Sequence, residues 1–386
     1  MATTITQEPL YTTLPVGQDI IFTVSNPAVT YKYNAKFIAE VFMSSVPPDL
    51  TLTTDLIGTF KTTPNAVGVG IFDFSPVVET KVKSDNLAAD SSSYKTTLVT
   101  PTSDPVPPLH LIDKFSDNIN AMKYLVIRFS MEGSNTPTGI PILVQGSERS
   151  SDQYKIFNGY LNYSNKLDTV DNDFGLDISS TSATPIKLGA AASSFLTNAP
   201  TTQYANIDDY GTVGVLCPSV LTDLQNITFE YYNSAGGSLG SEDIQANLSA
   251  SSDLKFHLLY IGCFPANLKN WSTTFATAIG LGLSYYTVQA FDPSRDPISQ
   301  LYTINVNCAN LKNYVPIRLA WLNQWGAWDY YTFTKKSSRT ISTQGSTYTQ
   351  LKGTWNDSIF RLNGYRGGKK AFRVNATEKI KMNTDF

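Results

Sequence analysis

The segment YNAKFIAEVFM, Tyr33–Met43, decides the fold class, because its residue pattern repeats every two positions. One alternate set of side chains is apolar and includes Phe37 and Val41, whereas the other set contains Lys36 and Glu40. Successive side chains of a strand point to opposite faces. The segment is therefore predicted to be a strand with one buried face and one solvated face.

The same two-residue period returns in Leu254–Tyr260 and in Tyr302–Cys308. Strands with one polar face are typical of antiparallel sheets, whereas parallel strands are usually buried on both faces. Turn signals separate these runs, for example SAGG from Ser234 and FDPS from Phe291. We therefore predict a mainly β chain with two or more antiparallel β-sandwich-like domains and few short helices.

Helical patterns are scarce. The strongest one is LHLIDKFSDNINAMKYL, Leu109–Leu125, in which apolar residues recur at helical spacing. Weaker candidates are Ile186–Leu196 and the segment WSTTFATAIGLGL, which begins at Trp271. These three segments are the predicted helical connections of the β domains.

The domain boundary is predicted at SNTPTGIP, Ser134–Pro141, where the composition shifts to turn-forming residues. Residues 1–145 then form an N-terminal β-sandwich domain, and residues 146–386 form a second β-rich domain. A separate C-terminal module beginning near residue 337 is an alternative that the pattern leaves open.

The composition narrows the class of partner. The chain has 386 residues, a net charge of -3 and 16% charged residues, below the usual share of about a quarter. Such a balance offers little attraction for a polyanion, so we predict no nucleic-acid partner. No run of apolar residues reaches the length of a membrane span, and MATTITQEPLY lacks the features of a secretory signal, so we predict no membrane insertion and no export.

The cysteines Cys217, Cys263 and Cys308 are widely spaced. Such spacing suits neither a disulfide framework nor a zinc site, which needs closely spaced pairs of ligands. The three residues are predicted to be buried free thiols in a protein that is made in a reducing cytoplasm.

Candidate catalytic groups are few. The only histidines are His110 and His257, and no G-x-S-x-G, P-loop or H-E-x-x-H motif occurs. A pair of carboxylates could act as in a glycosidase, but a chain with 32 acidic residues offers such pairs by chance. The available carboxylates are those of Asp73, Glu79, Asp208, Asp209 and Asp329.

Two acidic segments, SDNLAADS at Ser84–Ser91 and TVDNDFGLD at Thr169–Asp177, resemble calcium loops but lack the spacing of an EF-hand. Turn capping by their aspartates is the favoured interpretation. We therefore predict no catalytic residue, no metal site and no cofactor, and we predict that the protein is not an enzyme.

The segment RLAWLNQWGAWDYYTFTKK, Arg318–Lys336, contains three of the five tryptophans. Its alternation predicts a hairpin with a turn at Asn323–Gly326. Three interpretations stay open, namely a hairpin core, a contact between subunits and a glycan platform. The candidate partner-binding residues are Trp321, Trp325, Trp328, Tyr330 and Tyr331.

Several phrases of the sequence carry a resemblance to a known family. They are PLYTTLPVGQDIIFTVS, IGTFKTTPNAVGVGIFDFSPVVETKVKSDN, IDKFSDNINAMKYLVIRFS, QYKIFNGYLNY, FLTNAP with DDYGTVGVL, and WLNQWGAWDYYTF. Read in this order, the chain resembles virion structural proteins of tailed bacteriophages of Bacteroidota, namely flavobacterial and crAss-like phages. The resemblance extends from Pro9 to about Phe386.

This resemblance implies a β-rich, tail-associated virion protein that assembles in many copies, without a cofactor and without chemistry of its own. Its partners would be copies of itself and other virion proteins. The composition agrees with such a role, because 21 Tyr and 20 Phe supply the aromatic side chains that protein interfaces favour. The alternatives are a module that binds a glycan or receptor on the host surface, and a polysaccharide hydrolase.

Overall fold

The structure is a computed structural model, in which contacts between residues divide the chain into two units. Unit 1 comprises Met1–Cys308 and Ala320–Tyr331, and unit 2 comprises Ala309–Leu319 and Thr332–Phe386. The structure describes residues 2–9, 13–83, 115–118, 121–160, 195–217, 226–245, 257–291, 294–297, 299–306, 314–349, 358 and 368–383.

Strands dominate the described residues, and the predicted mainly β class is confirmed. Within the described residues, the helices are α1 (Ser75–Glu79), α2 (Pro265–Trp271) and α3 (Thr273–Gly280), with one 3-10 helix at Pro27–Thr30. The strands are β1 (Thr4–Gln7), β2 (Thr13–Pro15), β3 (Ile21–Ser25), β4 (Tyr33–Ser44), β5 (Leu56–Thr62), β6 (Val69–Asp73), β7 (Phe115–Asn118), β8 (Met122–Ser134), β9 (Ile142–Leu143), β10 (Arg149–Ser150), β11 (Tyr154–Phe157), β12 (Thr202–Ala205), β13 (Thr212–Cys217), β14 (Asn226–Asn233), β15 (Ser238–Gln245), β16 (His257–Gly262), β17 (Leu283–Phe291), β18 (Tyr302–Val306), β19 (Ile317–Leu322), β20 (Trp328–Phe333), β21 (Ser338–Thr349) and β22 (Lys369–Lys381).

The N-terminal part of unit 1 contains two sheets that share one core. A seven-stranded sheet has the order β2-β11-β8-β4-β5, with β9 and β10 also paired to β8, and a three-stranded sheet has the order β1-β3-β6. Aromatic rings fill the core, where Phe22 packs 5.7 Å from Phe129 and 5.6 Å from Tyr154, measured between ring centroids. This arrangement is sandwich-like, as the sequence predicts.

Strand β4 confirms the pattern that opens the analysis. Phe37, Ala39 and Val41 are completely buried in the core, and Lys36 is exposed on the other face. The sheet also extends past the predicted boundary after residue 145, since β11 pairs antiparallel with β8 and parallel with β2. The segment QYKIFNGYLNY therefore contributes its first strand to the N-terminal sheet.

The second part of unit 1 is built on a five-stranded sheet of order β12-β18-β17-β14-β15 and a three-stranded sheet of order β13-β16-β7. A second core contains Phe229, Tyr231 and Tyr286 from the larger sheet together with Phe275 from α3. Strand β7 comes from the chain before β8 but pairs with β16, so it joins the two halves of unit 1 by backbone hydrogen bonds.

The predicted helix at Leu109–Leu125 is wrong. Phe115–Asn118 forms β7 and Met122 begins β8, while residues 109–114 lie outside the described residues. Strand β8 is buried on both faces, because Leu125, Val126 and Ile127 are consecutive buried residues. Burial on both faces removes the two-residue alternation that identifies a strand.

The helix predicted after Trp271 is confirmed as α3. The Ser272 side chain accepts a hydrogen bond from the backbone N–H of Phe275 at 2.7 Å and so caps the first turn. Helix α2 is an additional helix that the pattern did not predict, and it begins with Pro265 at a position where the missing N–H costs nothing. Most of Ile186–Leu196 lies outside the described residues.

Cys263 forms no disulfide bond and its side chain is completely buried, as predicted for this thiol. The side chains of Cys217 and Cys308 lie outside the described residues. Among the helices of the described ranges, none is long and apolar enough to cross a membrane.

Unit 2 contains a long antiparallel ribbon formed by β21 and β22, whose register runs from Ser338 opposite Lys381 to Thr349 opposite Lys369. Every residue of both strands is exposed. At about 3.3 Å per residue the ribbon is about 40 Å long.

Candidate functional site: the aromatic hairpin

Strands β19 and β20 form a two-stranded antiparallel hairpin, as predicted. Asn323 organises the turn between them. Its backbone N–H donates to the carbonyl of Ala327 at 2.9 Å, and its side-chain oxygen accepts from the backbone N–H groups of Trp325 at 2.9 Å and Ala327 at 3.1 Å. An asparagine that bonds the backbone following it is a common turn-forming device.

The turn of the hairpin is held between the two halves of unit 1. The backbone N–H of Tyr160, just beyond β11, donates to the carbonyl of Gln324 at 2.9 Å. The Tyr260 hydroxyl of β16 donates to the carbonyl of Gly326, also at 2.9 Å. These contacts fix the turn on both halves of the unit.

Glycine is required at position 326 for two reasons. Its φ angle is +74°, in the left-handed region, and an added Cβ would lie 1.9 Å from the carbonyl oxygen of Asn158. Both the backbone conformation and the close approach of Asn158 therefore exclude a larger side chain.

A buried carboxylate attaches the hairpin to the segment before β12. Asp329 is 2% exposed, and its oxygens accept hydrogen bonds from the Thr197 hydroxyl at 2.5 Å and from the backbone N–H of Asn198 at 2.9 Å. The Asn323 side chain donates to the carbonyl of Leu196 at 2.7 Å, and the Trp325 indole N–H donates to the Asn198 side chain at 3.0 Å. The hairpin and this segment thus share one hydrogen-bond network.

Burial raises the pKa of the Asp329 carboxyl above its ordinary value, while the hydrogen bonds from Thr197 and Asn198 act in the opposite direction. Asp329 is one of the carboxylates that the sequence offered for acid–base chemistry. In the structure its oxygens bond to donors that belong to the fold, which is an anchoring arrangement.

The five candidate partner-binding residues divide between core and surface. Tyr330 is buried and packs 5.7 Å from Phe264, measured between ring centroids, and Trp328 packs against the same core. Trp325 and Tyr331 are half-buried, and Trp321 is 37% exposed. The hairpin therefore buries aromatic side chains from β20 and exposes Trp321 on β19.

Three other acidic candidates, Asp73, Asp208 and Asp209, contact residues of loops and helices. Both the backbone N–H and the hydroxyl of Ser75 donate to Asp73, at 3.0 and 2.6 Å, where α1 begins. Asp208 forms a salt bridge with Lys269, with an N–O distance of 3.2 Å, and Asp209 accepts from the backbone N–H of Asn206 at 2.8 Å. Both partners of that salt bridge are exposed, so it adds little stability.

Several predictions fall on residues that the structure does not describe, namely His110, the side chain of His257 and both segments that resemble calcium loops. Within the described ranges, no group of three or more His, Cys, Asp or Glu side chains could hold a metal ion.

A second surface, missed by the sequence analysis, lies on the five-stranded sheet. We call it the tyrosine row. Tyr204 of β12 lies opposite Asn305 of β18, which lies opposite Tyr285 of β17, and Tyr285 lies opposite Tyr232 of β14. The rings of Tyr232 and Tyr285 are stacked, with centroids 5.0 Å apart and planes 13° apart.

The tyrosine row belongs to the outer face of the sheet, since Tyr204 is 57% exposed while the next residue toward the strand start, Gln203, is buried. The Tyr232 hydroxyl donates to Glu230 at 2.5 Å, and this hydrogen bond, with burial, raises the pKa of Tyr232 to about 12. The residues of the tyrosine row come from strands that are far apart in the chain. The sequence could have indicated them only as residues on the solvent-facing side of each predicted strand.

No protein-family model matches the chain. No curated protein sequence matches it either. Among solved structures, the native conformation of E. coli alpha-2-macroglobulin aligns over 100% of this chain and 20% of its own length, with 10% sequence identity and a TM-score of 0.19. The chain thus spans a fifth of that protein, and a likeness this weak supports no statement about fold or activity.

Proposed function

We propose that this protein is a non-enzymatic structural component of a tailed-phage virion, located in the tail or at the tail junction. It would be made in the cytoplasm of the host bacterium and assemble with copies of itself and with other virion proteins. The resemblance of the sequence to virion proteins of Bacteroidota phages motivates the proposal, and the ribbon of unit 2 is the structural observation that supports it.

A two-stranded ribbon is at best marginally stable in water, because it has no second layer to bury its side chains. The ribbon of unit 2 exposes both faces along β21 and β22, including Ile341, Val374 and Phe372. A long ribbon of this kind is stabilised when another protein covers it. In an assembly, a neighbouring subunit supplies the surface that covers the ribbon. An enzyme that works as a separate chain has no need of an exposed ribbon of this kind.

The exposed side of the hairpin supports the same role. Trp321 and Leu322 of β19 are both exposed, and aromatic and apolar side chains of this kind are common at the centres of protein interfaces. A contact between subunits at Trp321 is therefore part of the proposal, while Tyr330 serves the core of its own unit.

Mass spectrometry of purified virions tests this function. We expect the polypeptide in a fixed ratio to the other virion proteins through successive density gradients. If it is found in infected-cell lysates but not in the purified particles, the proposal is wrong.

A second candidate function is the binding of a host-surface glycan, and the tyrosine row is the observation that favours it. Sugar rings stack on aromatic side chains and need hydrogen-bonding groups beside them. Tyr204 and Tyr285 lie two strands apart, about 10 Å, with Asn305 between them. Thr287 and Thr303 follow in the neighbouring position of the same face.

Glycan-array binding by the full chain and two variants tests this candidate. If the tyrosine row is the site, Tyr285→Ala removes binding and Trp325→Ala keeps it. The opposite result would place the site at the hairpin turn. An absence of binding by the wild-type chain to any host-surface glycan would overturn this second function.

A further inference from the structure

The ribbon has two chemically different faces, which the strand register defines. Opposed residues share a face, so Ile341 lies with Glu378, Gly345 lies with Val374, and Arg339 lies with Ile380. This face combines the apolar side chains of Ile341, Val374 and Ile380 with an ion pair between Arg339 and Glu378, whose N–O distance is 3.6 Å. We call it the apolar face; Ile341 is 67% exposed and Val374 is 61% exposed.

The opposite face is basic. Thr340 lies opposite Lys379, Ser338 opposite Lys381, and Ser346 opposite Arg373. The bulge between Ser346 and Thr347 adds Phe372, which is 77% exposed and contacts Tyr348 edge-on with ring centroids 6.5 Å apart. The ribbon thus presents an apolar face, a basic face and an exposed aromatic pair.

The two units have opposite charges. Unit 1 contains 16 basic and 29 acidic residues, which gives a net charge of -13, whereas unit 2 contains 13 basic and 3 acidic residues, which gives +10. The net charge of the whole chain, -3, is the difference between these two large values. Surfaces of opposite charge attract, and like charges placed together cost free energy.

We propose that the ribbon of one copy binds unit 1 of a second copy. This inference deepens the proposed virion role by assigning the contact between subunits. Charge complementarity favours this partner. Contact between two ribbons would bring two basic surfaces together, whereas contact between a ribbon and unit 1 brings a unit of net charge +10 to a unit of net charge -13. The apolar face of Ile341 and Val374 distinguishes a protein partner from a nucleic acid, which would neutralise the basic face and leave the apolar face in water.

A contact between different surfaces of two identical chains is head-to-tail. Such contacts close into rings when the rotation between copies divides a full turn, and otherwise they continue as helical assemblies. Both arrangements suit a tail or a tail junction, where identical subunits surround an axis.

Zero-length carbodiimide cross-linking tests the contact directly, because it joins lysine amines to carboxylates that touch. The full chain is prepared with natural nitrogen and with 15N, and the two preparations are mixed in equal amounts. We expect cross-links of mixed isotope composition from Lys379 or Lys381 to carboxylates of unit 1. Cross-links within one chain only, cross-links to Glu378 of a second ribbon, or no cross-links from these lysines would each overturn the inference.

A matched pair of charge reversals provides the control. Lys379→Glu with Lys381→Glu changes the ribbon, and Lys81→Glu with Lys83→Glu makes the same change at the same spacing on exposed lysines of unit 1. In sedimentation velocity at 50 mM salt, we expect the ribbon variant to associate about tenfold more weakly than wild type, and the control at least as strongly as wild type. Equal association of the ribbon variant and wild type would contradict the inference.

A binding assay with duplex DNA separates the remaining partner class. Tight, salt-sensitive binding of DNA to the wild-type chain, lost in the ribbon variant and without cross-links between chains, would assign the ribbon to nucleic acid and overturn the inference. The virion proposal and this inference can fail independently. A protein that is absent from purified particles could still form the cross-linked oligomers.

Discussion

Unit 1 and unit 2 are built from the same kind of strand but stabilised in different ways. In unit 1 aromatic rings fill two closed cores, and Phe22, Phe129 and Tyr286 are completely buried. In unit 2 the strands β21 and β22 are longer than most strands of unit 1, yet none of their residues is buried. The alternation of side chains is thus similar in both units, while among the described residues only unit 1 has a second layer.

The difference shows that alternation predicts a strand without predicting what covers it. A strand with an apolar face needs a partner surface, which is either another sheet of the same chain or a surface of another molecule. Unit 1 contains its own second layer, and Ile341 and Val374 of unit 2 remain exposed. We therefore expect the two units to respond differently to the same substitutions.

The largest difference is expected for phenylalanine truncation. Phe129→Ala removes a completely buried ring and should lower the free energy of unfolding of unit 1 by about 4 kcal/mol. Phe372→Ala removes a ring that is 77% exposed. In the unassembled chain this substitution should change the free energy of unfolding of unit 1 by less than about 0.5 kcal/mol.

Denaturant unfolding followed by tryptophan fluorescence measures the free energy of unfolding of unit 1 in both variants. The signal reports on this unit because it contains Trp271, Trp321, Trp325 and Trp328. A loss in Phe372→Ala as large as that in Phe129→Ala would show that the ribbon is already covered in the separate chain. The distinction between the two units would then be wrong.

The next effect in size concerns the turn of the hairpin. Gly326→Ala should destabilise unit 1 by about 3 kcal/mol, because it combines a left-handed backbone with an overlap between the new Cβ and the Asn158 carbonyl. Gly146→Ala is the matched control, since Gly146 has a φ of +69° and no atom within 4 Å of the new Cβ. It should cost only about 1 kcal/mol.

Thermal unfolding of the two alanine variants gives the comparison. If their melting temperatures fall equally, then the turn at Gly326 is not held against the N-terminal sheet. The attachment of the hairpin through Asn158 and Tyr160 would then have to be abandoned.

The sequence predicted those elements in which one face is buried and the other is solvated. Strands β4 and β18 have this character and occur where the alternation placed them. The hairpin also occurs where the sequence placed it, although the last four residues of β19 are all exposed. The wrongly predicted helix at Leu109–Leu125 overlaps the start of strand β8, which is buried on both faces and so shows no alternation to recognise.

The candidate site was predictable only in part. The tryptophans of the hairpin and its turn follow from local sequence, but the network around Asp329 depends on Thr197 and Asn198, more than 130 residues away. The tyrosine row likewise needs the order of strands in a sheet, which no local pattern contains. The charge difference between the units was hidden because a single net charge adds opposite regions together.

The smallest expected effect is a dependence on pH that only unit 1 should show. Burial raises the pKa of Asp329 in the folded protein, whereas an unfolded aspartate titrates near about 4. Between these two pKa values the folded state holds the extra proton, so the free energy of unfolding should fall as the pH rises from about 4 through the folded pKa.

Comparison with Asp329→Asn isolates this contribution, because asparagine does not titrate. In denaturant unfolding from pH 4 to pH 7, the difference in stability between wild type and variant should change with pH and then become constant above the folded pKa of Asp329. Glu378→Gln in the ribbon is the control from unit 2, where the pair with Arg339 has an N–O distance of 3.6 Å and exposed partners, so the substitution should leave the unfolding of unit 1 unchanged. A constant difference between wild type and Asp329→Asn across this range would mean that burial does not raise the pKa of the Asp329 carboxyl. The contrast between a buried carboxyl in unit 1 and exposed charges in unit 2 would then lose its clearest example.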